Sequence, residues 1–288
     1  MKILTALFML FALASADLAH AEGDPILDTV RRIEADLGAR VGLSIHDTGR
    51  GDRWEHRADE RFPMASTFKV LACAALLSRA DAGAIDPRRT VAIRQSDLLS
   101  YAPVTERRVG GEMSLHALCE ATMSTSDNTA ANMIIDALGG PPAVARLARG
   151  LGDDVTRLDR REPSLNEGAP GDPRDTSTPA AMAATFETLV LGDALSDGSR
   201  AQLVEWLVGN EVGGPLLRAG LPADWRVGDR TGAGGHGTRG IVAVLWPPNR
   251  APLIAVVFIT ETDASMDARN AAIASIGATI AEVVSRRP

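Results

Sequence analysis

Residues 68–77 of this chain, Phe68-Lys69-Val70-Leu71-Ala72-Cys73-Ala74-Ala75-Leu76-Leu77, are apolar on nearly every side of a helix. A helix without a polar face has to be enclosed by other elements, so the fold must be built around this one. Pro63 precedes it and Asp81-Ala82-Gly83 supplies a turn that ends it. Ser66 stands at its start, where free backbone N–H groups and the positive end of the helix dipole favour a developing negative charge. Lys69 follows three residues later, on the same helical face as Ser66. A hydroxyl and an amine within reach of each other are the minimum unit of an activated oxygen nucleophile. The same residues also suit a helix cap followed by a solvated lysine.

The lysine count favours the chemical reading. Of 30 Lys and Arg residues only Lys2 and Lys69 are lysines. Arginine stays protonated in proteins, whereas a buried lysine can lose its proton and act as a base. The position that keeps lysine is the one beside a serine at catalytic spacing.

The amino terminus reads as an export signal over residues 1–21. Met1-Lys2 gives the positive end, Ile3 to Ala14 the apolar core, and Ala19-His20-Ala21 a small-x-small cleavage site. The mature chain is expected to begin near Glu22, in the periplasm or outside the cell. No later apolar run reaches the ~18 residues needed to span a membrane. A formal net charge of −7 and the lack of a basic run argue against nucleic acid as a partner. Two cysteines, Cys73 and Cys119, remain after cleavage. In an exported protein such a pair suggests a disulfide, with two buried thiols as the alternative.

Hydrophobic periodicity divides the rest. Pro25–Leu37 has helical spacing; Val41–Ile45 and Arg53–His56 read as a strand hairpin turned at Gly49-Arg50-Gly51. Leu115–Met123, Ala130–Leu138, Pro142–Leu151, Thr178–Leu191 and Ser199–Val208 read as helices. Between Arg157 and Thr178 lies a long loop rich in Pro, Gly and charge, and loops of that length in compact domains are usually functional or disordered. Strands return at Arg226–Thr231, Gly240–Trp246 and Pro252–Thr260, before a closing helix over Met266–Arg286. Strands at both ends with helices between predict an α+β fold. One antiparallel sheet built from both termini (residues 22–61 and 210–288) carries flanking helices, and an all-α lobe (62–209) is inserted into it. The active site is expected at the interface of the two.

Three further clusters carry polar chemistry: Ser126-Asp127-Asn128 between two helices, Glu162-Pro163-Ser164-Leu165-Asn166 in the long loop, and Arg230-Thr231-Gly232 at a strand end. Taken singly they suit a helix cap, a solvated loop and a hairpin turn. In this order, together with Ser66-Thr67-Phe68-Lys69, they resemble the class A serine β-lactamases over essentially the whole mature chain. The resemblance implies the serine β-lactamase and penicillin-binding transpeptidase fold and a small-molecule β-lactam as substrate. No metal and no cofactor are expected, and a monomer is expected because nothing in the sequence suggests otherwise.

It also implies roles. Ser66 would attack the β-lactam carbonyl, with Lys69, or Glu162 through a water, taking its proton. The backbone N–H groups of Ser66 and Ala233 would form the oxyanion hole. Ser126 would relay a proton to the ring nitrogen and Asn128 would bind the substrate's side-chain amide. Glu162, as general base, and Asn166 would hold the water that hydrolyses the acyl-enzyme. Arg230, Thr231 and Arg239 would bind the substrate carboxylate, Gly232 would line the site, and Tyr101 would form a wall of the cleft. Arg160 and Asp175 would pair across the neck of the long loop, and Cys73–Cys119 matches a disulfide position of some members.

Arg230 departs from the usual family pattern, Lys-Thr-Gly or Lys-Ser-Gly. Arginine keeps the charge and adds a bidentate fork for carboxylates. In that respect the chain looks like the subgroup active on carbenicillin, a penicillin with a second carboxylate. General replacement of lysine by arginine in this chain accounts for the residue equally well, and the sequence leaves both readings open. Ala65 and Gly234 are not the cysteines of one carbapenem-hydrolysing subgroup. Gly232-Ala233-Gly234-Gly235-His236-Gly237 formally fits a dinucleotide-binding motif, but a strand follows where a helix is required. His46, His56, His116 and His236 have no zinc-ligand spacing. A penicillin-binding D,D-peptidase would share the Ser-Lys pair but lack Glu162 with Asn166. A β-lactam sensor that stays acylated would need an impaired deacylation site or a membrane anchor.

Overall fold

A computed structural model describes residues 24–286. The export signal expected over residues 1–21 lies outside the described residues. Nine strands and nine helices are described: α1 (Pro25–Leu37), β1 (Arg40–Asp47), β2 (Arg53–His56), β3 (Phe62–Pro63), α2 (Phe68–Asp81), β4 (Thr90–Ala92), β5 (Glu112–Ser114), α3 (Leu115–Thr125), α4 (Asn128–Leu138), α5 (Pro142–Gly150), β6 (Thr176–Ser177), α6 (Pro179–Val190), α7 (Asp197–Val208), α8 (Leu217–Gly220), β7 (Arg226–Ala233), β8 (Arg239–Trp246), β9 (Leu253–Thr260) and α9 (Met266–Ser285).

Strands from both chain ends form one antiparallel sheet in the order β2-β1-β9-β8-β7. Its register sets Ile45 opposite Ala255, Val242 opposite Val256 and Thr231 opposite Ile241. Strand geometry sends alternate side chains to opposite faces. Leu253, Ala255, Val257 and Ile259 therefore pack on one face with α1, α8 and α9. Ile254, Val256 and Phe258 pack on the other with the inserted helices. Both faces are covered, which is why β9 reads as an unbroken apolar run rather than an alternation.

The inserted lobe is organised around α2. Every residue from Phe68 to Leu77 is buried, Lys69 included. A disulfide between Cys73 on α2 and Cys119 on α3 ties the central helix to its neighbour. The α+β architecture with an inserted helical lobe is as expected. The lobe also holds two short ribbons, β3 with β6 and β4 with β5, that periodicity did not reveal. They have two and three residues per strand, too few for alternation to register.

Candidate active site

The site forms where the start of α2, the α3–α4 junction, the long loop and the end of β7 meet. Ala65–Thr67 make one tight turn ahead of α2, so Ser66 precedes the α-helix proper instead of beginning it. Ala65 takes a left-handed φ of 42°. Strand β7 passes directly beside this turn. A Cβ added to Gly232 would lie 2.8 Å from the carbonyl oxygen of Met64 and 3.0 Å from the Ser66 nitrogen. Glycine is required there because the backbone of the Met64–Thr67 turn occupies the space a side chain would need.

Ser126 links α3 and α4 in a left-handed conformation, φ 69°. Asp127 behaves as the helix cap its chemistry suggested: its carboxylate accepts from Ala130 N–H at 2.8 Å. It also accepts from the N–H groups of Val104 and Thr105 at 3.0 and 2.9 Å. Those bonds fix the segment that carries Tyr101, whose carbonyl accepts from Asn128 N–H at 3.0 Å. Capping by Asp127 leaves its neighbours Ser126 and Asn128 to meet Lys69.

Lys69 is fully buried. Its Nζ donates to the Ser126 carbonyl at 2.8 Å, the Ser126 hydroxyl at 3.0 Å and Asn128 Oδ1 at 2.6 Å. The Glu162 carboxylate stands 3.2 Å from the same nitrogen. Burial pushes the Lys69 ammonium down to about 7; the Glu162 carboxylate opposes this and the Arg230 guanidinium reinforces it. A direct hydrogen bond from Lys69 to Ser66 is not among those of the described residues. The Ser66 hydroxyl donates to Glu162 Oε1 at 3.4 Å instead. Glu162 Oε1 therefore faces both the hydroxyl and the amine.

Glu162 is held by Asn132 of α4, which accepts from its N–H at 3.0 Å and donates to its carbonyl at 2.9 Å. Asn166 Nδ2 donates to Glu162 Oε2 at 2.5 Å. The buried Oδ1 of Asn166 has no hydrogen-bond partner, and so is an acceptor open to a small molecule. The neck of the loop closes on Arg160, whose Nε donates to the Asp175 carboxylate at 2.6 Å. Glu167 also pairs with Arg160, at 2.5 Å.

The far end of the cleft is cationic. Arg230 is fully buried, and its Nε and Nη2 have no hydrogen-bond partner. Its Nη1 donates to Asn210 Oδ1 at 3.4 Å. Arg239 donates to Asn270 Oδ1 at 2.8 Å and to the Gly232 carbonyl at 3.2 Å. Burial lowers each guanidinium to about 10, so both stay charged at neutral pH. Next to Arg230, Asp229 is buried against Arg218 Nε at 2.5 Å and the Asn210 amide. Burial pushes the Asp229 carboxyl up, against the pull of Arg218.

Ser66, Tyr101, Ser126, Asn128, Asn166, Thr231, Ala233 and Arg239 line one cleft of about 260 Å³. Lys69, Glu162 and Arg230 sit just behind its wall. The disulfide and the Arg160–Asp175 pair lie away from it, in supporting positions. The sequence reading missed Asn132, Asn210, Asp229, Arg218, Asn270 and Val212, which also lines the cleft. Only Asp229, an acidic residue directly beside Arg230 within a strand, gave a signal in the sequence. The amides gave none.

The chain matches the family described as "Beta-lactamase enzyme family" over residues 25–284. It is similar to beta-lactamase AER-1 of Aeromonas hydrophila, 47% identical over 261 residues that cover 90% of this chain and 86% of that protein. A beta-lactamase of Rhodobacter capsulatus is 48% identical over 283 residues, 98% of this chain and 96% of that one. Among solved structures, an ancestral (GNCA) class A beta-lactamase superposes with a TM-score of 0.88 at 55% identity, covering 90% of this chain and 99% of that one. Identity at this level over nearly the full length, with the same fold, shows descent from one family: this chain belongs to the class A beta-lactamases, hydrolases that act on β-lactams.

Proposed function

We propose that this enzyme hydrolyses penicillins through an ester on Ser66, with Lys69 and Glu162 sharing the proton transfers. The observation that carries the reading is the buried cluster in which Glu162 Oε1 faces the Ser66 hydroxyl at 3.4 Å and Lys69 Nζ at 3.2 Å. Lowered to about 7, Lys69 exists partly as a neutral amine at neutral pH and can accept the Ser66 proton. Ser66 Oγ bonds to the β-lactam carbonyl carbon, and the oxyanion is stabilised by the N–H groups of Ser66 and Ala233. The ring C–N bond then breaks, and the nitrogen takes a proton from Ser126, which is resupplied by Lys69 at 3.0 Å.

Deacylation reverses the logic with water as nucleophile. Glu162 accepts the water's proton. The unpartnered Asn166 Oδ1 accepts its other hydrogen. The tetrahedral intermediate collapses, the ester C–O bond breaks, and the proton returns to Ser66. Arg239 and Thr231 receive the carboxylate common to penicillins, and Asn128 the side-chain amide. The two free donors of buried Arg230 favour substrates with a second carboxylate, such as carbenicillin. The chain acts after export, with residues 1–21 removed. Among the described residues no helix is long and apolar enough to cross a membrane.

The test is loss of the β-lactam amide absorbance of benzylpenicillin, followed well past one equivalent per protein. Continuous loss is expected. A single equivalent followed by a plateau would reduce the activity to acylation alone and overturn the hydrolytic cycle.

A further inference from the structure

Tyr101 lines the catalytic cleft with 47% of its surface exposed. No core clasps the ring, so the main chain beneath it decides where it stands. Between Asp97 and Thr105 that main chain is neither helix nor strand. It is tied instead to the start of α4, by three successive residues. Asn128 N–H donates to the Tyr101 carbonyl at 3.0 Å. Asp127 holds the N–H groups of Val104 and Thr105, beyond the tyrosine. Thr129 holds the approach to it: Oγ1 accepts from Leu99 N–H at 2.9 Å and donates to the Asp97 carbonyl at 3.3 Å.

Thr129 is buried, and its hydroxyl is directed away from its own helix. Thr125 and Thr188 donate to the carbonyl four residues back, a frequent bond for threonine within a helix. Thr129 is the second residue of α4 and has no turn of that helix behind it. One hydroxyl can accept and donate at once, and this one does both across the two residues that lead to Ser100 and Tyr101.

We propose that Thr129 is a positioning residue for substrate capture, its hydroxyl fixing where Tyr101 stands in the cleft wall. The inference rests on the reading of Tyr101 as a wall against which the substrate packs. The groups bonded to the Lys69 ammonium are Ser126, Asn128 and Glu162, and Thr129 is not one of them. Its effect therefore falls on binding and leaves the bond-making steps intact.

Valine has the shape of threonine without the hydroxyl, so Thr129→Val breaks both bonds and keeps the packing. KM for benzylpenicillin should rise about fivefold, the factor of one neutral hydrogen bond, with kcat nearly unchanged. In a Tyr101→Ala background the same substitution should add nothing, because the residue it acts through is gone. Thr129→Ser keeps the hydroxyl and should match the parent. Tyr101 is the only tyrosine of the sequence, so protein carrying isotope-labelled tyrosine gives one set of aromatic NMR signals. Those signals should move in Thr129→Val and stay in place in Thr129→Ser. Unmoved signals in Thr129→Val would overturn the inference, as would a KM rise that persists in full without Tyr101. A serine variant as altered as the valine one would assign the effect to the methyl group and overturn it too. The tyrosine signals are read without substrate, so failure here is separable from failure of the hydrolytic cycle.

Discussion

Lys69 Nζ and the Glu162 carboxylate stand 3.2 Å apart with neither side chain exposed to solvent. The pair is an amine and a carboxylate in one enclosure, and in the proposed mechanism its titration governs acylation. With Lys69 lowered to about 7, kcat/KM for benzylpenicillin should rise with pH through an apparent value near 7. That value belongs to the coupled pair. A fall in kcat/KM through the same range would mean that the ammonium form is the active one, and would remove Lys69 as the acylation base.

Stability carries the same signature. The unfolded chain holds the Lys69 proton up to about 10.4, while the folded protein releases it above about 7. Between these values the unfolded state binds more protons, so the Lys69 contribution to stability increases with pH. Below about 7 both states are protonated and the cost of burying the charge is fully present. Urea unfolding at pH 6.5 and pH 9 should show this difference in the parent and lose it in Lys69→Met.

Gly232→Ala tests the close passage of β7 beside the serine turn. The new methyl meets main-chain atoms of Met64, Ser66 and Thr67 at 2.8–3.1 Å, and main chain cannot swing aside as a side chain can. A shift of the turn by even part of an ångström misplaces Ser66. Such displacements cost about 100-fold in rate, so kcat/KM should fall by roughly that factor. Unchanged kinetics would show that the turn and strand are not rigidly coupled.

Arg230→Lys separates specificity from composition. Lysine keeps one charge but loses the fork. Turnover of carbenicillin relative to benzylpenicillin should drop about tenfold, the order expected of one charged hydrogen bond. Equal ratios in parent and variant would make Arg230 a product of the general use of arginine. Asn210→Ala removes the only hydrogen-bond acceptor of the Arg230 side chain among the described residues. It should raise KM several-fold for both substrates with kcat nearly unchanged.

The disulfide joins two fully buried positions 46 residues apart. Loop-closure entropy for that length corresponds to about 4 kcal/mol, with measured values typically 2–4 kcal/mol. Cys73→Ala/Cys119→Ala should therefore lower Tm by roughly 10 °C at this chain length, while kcat stays within twofold. An unaltered Tm would place the stabilising effect of the bridge near zero.

Much of this was legible in the sequence because the apolar runs are long. Phe68–Leu77 announced a central helix, and β8 and β9 announced buried strands. The β4 ribbon was not legible, since three residues do not establish a period. The titratable side chains of the site were visible for a chemical reason: a lysine in a chain that, Lys2 apart, otherwise uses arginine, a loop glutamate, and an arginine where the resembling family has lysine each stand out. Asn132 and Asn210 did not. Amides are common in loops and helix ends, and what they do here depends on which main-chain or guanidinium groups folding brings beside them. The Ser66–Lys69 spacing predicted one shared face, and the two side chains do converge, on Glu162 Oε1. It could not show that Ser126, Asn128 and Glu162 would take up the hydrogen bonds of the ammonium, leaving Ser66 to face Glu162.

The most direct measurement of the central claim is the mass of Glu162→Ala protein mixed with benzylpenicillin and digested for peptide mapping. The account predicts a stable adduct of one intact penicillin on the peptide carrying Ser66, persisting long after the parent enzyme has returned to its unmodified mass. Unmodified Glu162→Ala protein that continues to consume benzylpenicillin would contradict it, because deacylation would then proceed without Glu162.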